Sequence, residues 1–134
     1  MKSKVTLKDG MHFQGELGGF DIPIDAKEEV GGQNKGPQPK GLLLTSLAGC
    51  TGMDVISILR KMRVEPDDFS VECEADLTDE HPVVFKSIKI TYRFKGDVPR
   101  DKAEKAVSLS LERYCGVTAM LIKAAPIEHE IIIE

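Results

Sequence analysis

The chain has no tryptophan, and aromatic residues make up only 5% of it, so its core has to be aliphatic. It has no basic excess either. Lys and Arg number 18 against 22 Asp and Glu, the formal charge is −4, and the two signs are interspersed. That excludes the basic face nucleic-acid binding requires. No uninterrupted run of about 18 apolar residues occurs, so no membrane span is expected. Met1-Lys2-Ser3-Lys4 leads into a polar, strand-like segment rather than an apolar signal region, which points to a cytoplasmic, reducing compartment. Cysteine is scarce: Cys50, Cys73 and Cys115 are an odd count with no Cys-x-x-Cys pair. Neither a disulfide framework nor a metal site fits that spacing, and no cofactor is implied.

What the chain does have is a dense apolar stretch. Gly36-Pro37-Gln38-Pro39-Lys40-Gly41 opens it, and Leu42 to Cys50 follows. Proline is well placed in a first helical turn, so a helix is predicted from about Pro39 to Met62. Leu44, Ala48, Thr51, Val55, Ile58 and Met62 form one stripe of it; Leu43, Leu47, Cys50 and Asp54 form the next. From Leu42 to Cys50 no wide polar face appears, so burial nearly all round is expected. At 134 residues the chain is one domain with too few layers to cover such a helix alone. A second copy is the expected cover, in an obligate homodimer.

The remaining segments read in order. Asp9-Gly10 between Val5, Leu7 and Met11, Phe13 signals a hairpin. Gly18-Gly19 ends the second strand, and Phe20 to Ile24 makes a short third. Ala26 to Gly36, with Gly31-Gly32, Asn34 and Gly36, reads as an exposed, mobile loop, either a connector or a lid. Val71, Cys73, Ala75 and Leu77 alternate with acids, giving a strand with one dry face on which Cys73 is packing. His81 precedes Pro82 in a polar turn. Ile88, Ile90, Tyr92 and Phe94 mark the longest strand. Asp101 to Arg113 is an amphipathic helix with Ala103, Ala106, Val107 and Leu111 inward. Gly116 interrupts it, and a helix restarts over about Val117 to Ala124 with Cys115 at its N-terminus. Pro126 stops it, and Ile127 to Ile133 is a final strand, with His129 at a solvated or edge position. Strands, helix, strands, helix, strand is an α+β order with an antiparallel sheet.

Two of the thiols, Cys50 and Cys115, lie on helices expected to be buried. A buried cysteine is ordinarily inert packing. An acid, Asp54, one turn beyond Cys50 is unusual for a plain core helix. A helix N-terminus favours an anion and can lower a thiol's pKa. A thiolate attacks peroxide oxygen to give a sulfenic acid, and a nearby second cysteine condenses with it to a disulfide. Spacing alone does not show that the two meet, because their Cα atoms must come within about 7 Å.

Pro39-x-x-Leu42-Leu43-Leu44-x-x-Leu47-Ala48-Gly49-Cys50-Thr51-Gly52-Met53-Asp54-Val55 closely resembles the first cysteine motif of the OsmC/Ohr family, the osmotically inducible and organic hydroperoxide resistance proteins. Cys115-Gly116-Val117 through Pro126-Ile127 resembles the second, and the resemblance spans essentially the whole chain. It implies an OsmC-like α+β fold whose antiparallel sheets wrap central helices in an intertwined homodimer. It also implies reduction of organic hydroperoxides at the subunit interface with a thiol reductant, Cys50 being the peroxidatic and Cys115 the resolving cysteine. The chain departs from the family pattern at three points. Family peroxidases carry a glutamate about ten residues before the first cysteine, where this chain has Lys40 and Gly41. They carry an arginine in the N-terminal strands, where this chain has none before Arg60. Gly116 replaces the proline of the second motif. Lys40 and Asp54 are the charged residues that could line the site in their stead. Leu43, Leu47, Met53 and Met120 suit an apolar substrate. A non-catalytic binding module for a small apolar or electrophilic ligand, and a thiol redox sensor, are the alternatives.

Overall fold

Asp9-Gly10 and Gly18-Gly19 reverse the chain where the hairpin signals lie, with positive φ at Gly10, Gly18 and Gly19. They join β1 (Ser3–Asp9), β2 (His12–Leu17) and β3 (Phe20–Ile24) into an antiparallel sheet in sequence order. Pro23, which cannot donate to a ladder, sits in β3, an edge strand. The computed structural model describes residues 1–134, which fall into two compact units, Met1–Leu43 and Leu44–Glu134. In the first unit every residue of β1 is exposed, and Val5, Leu7, Leu17 and Phe20 stand out of the sheet.

The loop expected to be mobile is instead organised by a buried carboxylate. Asp25 is 1% exposed. Its side chain accepts hydrogen bonds from the N–H groups of Ala26 (2.8 Å), Gln33 (2.9 Å) and Lys35 (3.1 Å), and its own N–H donates to the Pro37 carbonyl (3.1 Å). A short 3₁₀ turn, Glu28–Val30, lies inside the loop. Lys35 reaches Asp9 at 2.9 Å. Gly32 is required where it stands, because an added Cβ would collide with the Ala26 carbonyl.

The second unit is built on a mixed sheet in the order β4 (Asp68–Leu77), β5 (Phe85–Lys95), β6 (Ile127–Ile133). β4 and β5 are antiparallel, but β5 and β6 are parallel. The antiparallel expectation fails at this pair for a topological reason. The connection from β5 to β6 carries two helices, and a helical crossover returns the chain in the direction it left. The β4 alternation holds from Phe69 to Ala75, whereas Leu77 is exposed. Ile88, Ile90, Tyr92 and Phe94 of β5 are buried on one face. The other face is polar, tied by Lys89–Glu130 (3.0 Å) and by Arg93 to Glu72 (3.3 Å) and Glu134 (3.7 Å). His129 is exposed on the edge strand β6, its ring edge-on to Tyr92.

α1 (Gly41–Lys61) buries one stripe in this unit: Leu47, Thr51, Val55 and Leu59. Burial all round is not realised within one chain, for Leu43 is 45% and Met53 73% exposed. Where α1 crosses β4, a Cβ at Gly52 would lie 3.3 Å from Val71, so glycine permits the close approach. Arg63, at φ 61°, ends the helix region, and Arg60 forks onto Glu65 at 2.9 and 3.0 Å. By length and mean hydropathy (1.7) α1 is apolar enough to cross a bilayer even without an unbroken apolar run. Its fully buried stripe instead makes it a core helix. α2 (Arg100–Leu109) packs Ala103, Ala106 and Val107 into the same core. It does not continue to Arg113. Ser110–Tyr114 forms one π-helical turn, and α3 (Gly116–Leu121) is shorter than predicted.

The Asp25 carboxyl is held below the usual aspartate pKa, first by the Gln33 N–H, then by those of Lys35 and Ala26 and by the charge of His12, against the opposing effect of burial. A depressed folded pKa stabilises above the unfolded value of about 3.9 and loses that stabilisation as pH falls through the folded value. The Gln33 and Lys35 amide resonances should therefore titrate together with a midpoint below about 3.9. Asp25→Ala should abolish the slow exchange of both amides at neutral pH, as followed by NMR.

Candidate functional site

Thr51, Tyr92 and Ser110 are all fully buried. A hydroxyl cut off from water needs partners within the protein, and these three find one another. The Thr51 and Tyr92 oxygens are 2.8 Å apart, as are those of Thr51 and Ser110. Ser110 donates to Asp54 Oδ2 at 2.9 Å. That last bond uses the one Ser110 proton, so Thr51 donates to Ser110 and Tyr92 to Thr51. The chain of protons has a single direction, ending on the carboxylate. Burial pushes the Tyr92 phenol well above its ordinary pKa, so it stays a donor. Asp54, half-buried one turn after Cys50 on α1, thus holds the hydroxyl of a residue five positions before Cys115.

The π-helical turn places Cys115. Its N–H donates to the Ser110 carbonyl at 2.8 Å, a five-residue step in place of the usual four. The step ends at Cys115, whose extended backbone (φ −76°, ψ 102°) caps α3. The thiol acts as the cap, and Thr118 N–H points at its sulfur at 3.4 Å. The Thr118 hydroxyl, buried and with no other partner, lies by the same sulfur.

The two thiols singled out in the sequence come together. The Cys50 thiol neighbours that of Cys115 closely enough to act on its ionisation. Both are free, Cys50 half-buried and Cys115 3% exposed. Burial is the main reason the Cys115 pKa is raised; the neighbouring Cys50 adds to the rise, and the Thr118 hydroxyl and N–H oppose it. Asp54 belongs to the hydroxyl chain behind the pair. Lys40 is exposed in the turn before α1, in the first unit, with its carbonyl accepting from Leu43 N–H. Of the apolar residues expected around the thiols, Leu47 is core, whereas Leu43, Met53 and Met120 are exposed. No group of three His, Cys, Asp or Glu is placed to hold a metal ion.

Sequence reasoning missed Thr51, Tyr92, Ser110 and Thr118. Thr51 directly follows Cys50 inside an apolar stripe, and Ser110 falls in the inward phase of α2. Each was a small polar residue in a dry position, which is a signal for a buried hydrogen-bond network.

The model of the OsmC-like protein family matches residues 32–130. Protein YhfA of Escherichia coli K12 is 34% identical over 131 residues, covering 96% of this chain and 95% of that protein. The chain belongs to the OsmC-like protein family. A hypothetical protein from Aquifex aeolicus is 30% identical in solved structure, with a TM-score of 0.84 over 99% of this chain and 96% of that one. The organic hydroperoxide resistance protein OhrB of Bacillus subtilis shares the fold at a TM-score of 0.71 and 20% identity, with 98% of each chain covered. The two-sheet, three-helix arrangement is thus the OsmC-like α+β fold.

Cys73 of this OsmC-like chain lies on the core side of β4, opposite Ile90. Burial, with a smaller contribution from Cys115, pushes its pKa to about 11. At pH 8 its thiolate is then roughly two hundredfold scarcer than that of a free cysteine. Iodoacetamide labelling followed by mass spectrometry should find Cys73 alkylated at least about a hundredfold more slowly than a cysteine peptide at that pH. Equal rates would contradict its position in the core.

Proposed function

We propose that this OsmC-like protein is a thiol-dependent hydroperoxide reductase acting on hydrophobic organic hydroperoxides, with Cys50 the peroxidatic and Cys115 the resolving cysteine. The observation that carries the reading is the pair itself: an accessible free thiol beside a buried free thiol, on two separate elements, in a family that includes organic hydroperoxide resistance proteins. The Cys50 thiolate attacks the outer oxygen of ROOH. The O–O bond breaks, the alcohol leaves with that electron pair and takes up a proton, and Cys50 becomes a sulfenic acid. The Cys115 thiol then displaces the hydroxyl as water and forms the disulfide. A dithiol reductant returns both sulfurs to thiols and is itself oxidised to a disulfide. The raised pKa of Cys115 makes it a poor first nucleophile and suits it to the resolving role.

The glutamate and arginine that the family's peroxidases use have no counterpart here. Each missing charge-assisted contact costs about 1.5–3 kcal/mol if it acts on the transition state. Both together correspond to roughly a hundredfold or more in rate. The enzyme should therefore be slow. In stopped-flow assays with a dithiol reductant, cumene hydroperoxide should be consumed faster than hydrogen peroxide, and Cys50→Ser should abolish consumption. Cys115→Ser should stop at the sulfenic acid, trapped by dimedone. If Cys50→Ser leaves consumption unchanged and no Cys50–Cys115 disulfide appears, the peroxidase reading fails and a binding module takes its place.

The acting form is a homodimer. Support comes from Leu43 and Met53, exposed on an otherwise apolar α1, and from the exposed apolar residues of β1 and β3. Light scattering should give one species at twice the 14.7 kDa chain mass at micromolar concentration. Met53→Glu should shift it toward the chain mass, and a folded wild-type monomer would refute the dimer.

A further inference from the structure

The geometry points to Ser110, held by Asp54 and Thr51, as the positioning residue that sets Cys115 against Cys50. This rests on the two-cysteine reading above and deepens it. Four links close a circuit. Cys50 is joined to Thr51 by a peptide bond, and Thr51 is joined to Ser110 by a hydroxyl bond of 2.8 Å. The Ser110 carbonyl accepts the Cys115 N–H at 2.8 Å. The circuit ends where the Cys115 thiol has Cys50 as its neighbour. Ser110 is the one residue that bonds α1 through its side chain and Cys115 through its main chain, and it is fully buried.

The π-helical turn explains why the clamp is needed. It inserts one residue beyond the α-helical register and so rotates Cys115 relative to α2. The turn's own main-chain bond fixes Cys115 relative to Ser110, and the Ser110 side chain ties that turn to α1. Ser110 starts the turn, and its hydroxyl is fixed on both sides, accepting from Thr51 and donating to Asp54. Asp54 thereby acquires a role in the site through Ser110: its carboxylate orients the Ser110 proton, which leaves the Ser110 oxygen free to accept from Thr51. Removing the Ser110 hydroxyl or the Asp54 acceptor frees the turn to move, and the resolving sulfur loses its approach to Cys50.

The readout is the effective concentration of Cys115 toward Cys50. It is measured at equilibrium with reduced and oxidised glutathione in a Cys73→Ser background. Glutathione disulfide takes the two thiol hydrogens and is reduced to two glutathiones while the Cys50–Cys115 bond forms. No hydroperoxide enters, so a failure of the peroxidase reading leaves this measurement intact. Ser110→Ala and Asp54→Leu should each lower the effective concentration about tenfold or more, the size of one lost hydrogen bond to a charged group. Asp54→Asn keeps an acceptor oxygen and should stay within about threefold of wild type. Val98→Ala, a core truncation at a position outside the hydroxyl chain, lowers thermal stability without touching the circuit. It should leave the effective concentration unchanged. The proposal is overturned if Ser110→Ala keeps the wild-type value, if Asp54→Asn falls as far as Asp54→Leu, or if Val98→Ala falls as far as Ser110→Ala.

Discussion

Three hydroxyls without access to water have to be satisfied inside the protein, and the second unit is arranged around the way this is done. Tyr92 comes from the central strand, Thr51 from α1 and Ser110 from the end of α2. Their bonds lock sheet, first helix and second helix at one point, and Asp54 terminates the proton sequence. An unpaired buried hydroxyl costs about 1–3 kcal/mol. Displacement of any one of the three elements would therefore strand more than one group. The apolar core around the hydroxyls supplies the bulk of the burial, and their bonds join its three elements at one point.

That junction has a chemical result. α2 gives way to a π-helical turn at Ser110, and the turn delivers Cys115 as the N-cap of α3. The two thiols meet there under unequal conditions. Cys50 is half-buried, while Cys115 is buried and hard to ionise.

The first unit follows a different economy. Its sheet buries almost nothing of its own, and its loop is ordered by hydrogen bonds to the Asp25 carboxylate rather than by packing. A loop rich in glycine can be ordered when one buried acceptor collects several main-chain N–H groups, because each closes a short ring at low entropic cost. Val5, Leu7 and Phe20 leave this unit with exposed apolar side chains.

By itself, the sequence determined the strands, the turns and the long helix, because periodicity and turn chemistry are local. Alternation from Phe69 to Ala75 and from Ile88 to Phe94 is set by side chains two apart, and Asp9-Gly10 needs nothing beyond its own φ angles. The motif around Cys50 was likewise legible as a contiguous string, and with it the family. Three things were decided only in the tertiary structure. The β6 direction depends on the crossover it completes, the ordering of residues 26–36 on a carboxylate outside that segment, and the tie between the π-helical turn and α1 on a hydroxyl bond. The meeting of Cys50 with Cys115 is of the same kind. It joins residues far apart in the chain, and only the packing of α1 against the end of α2 brings them to one place.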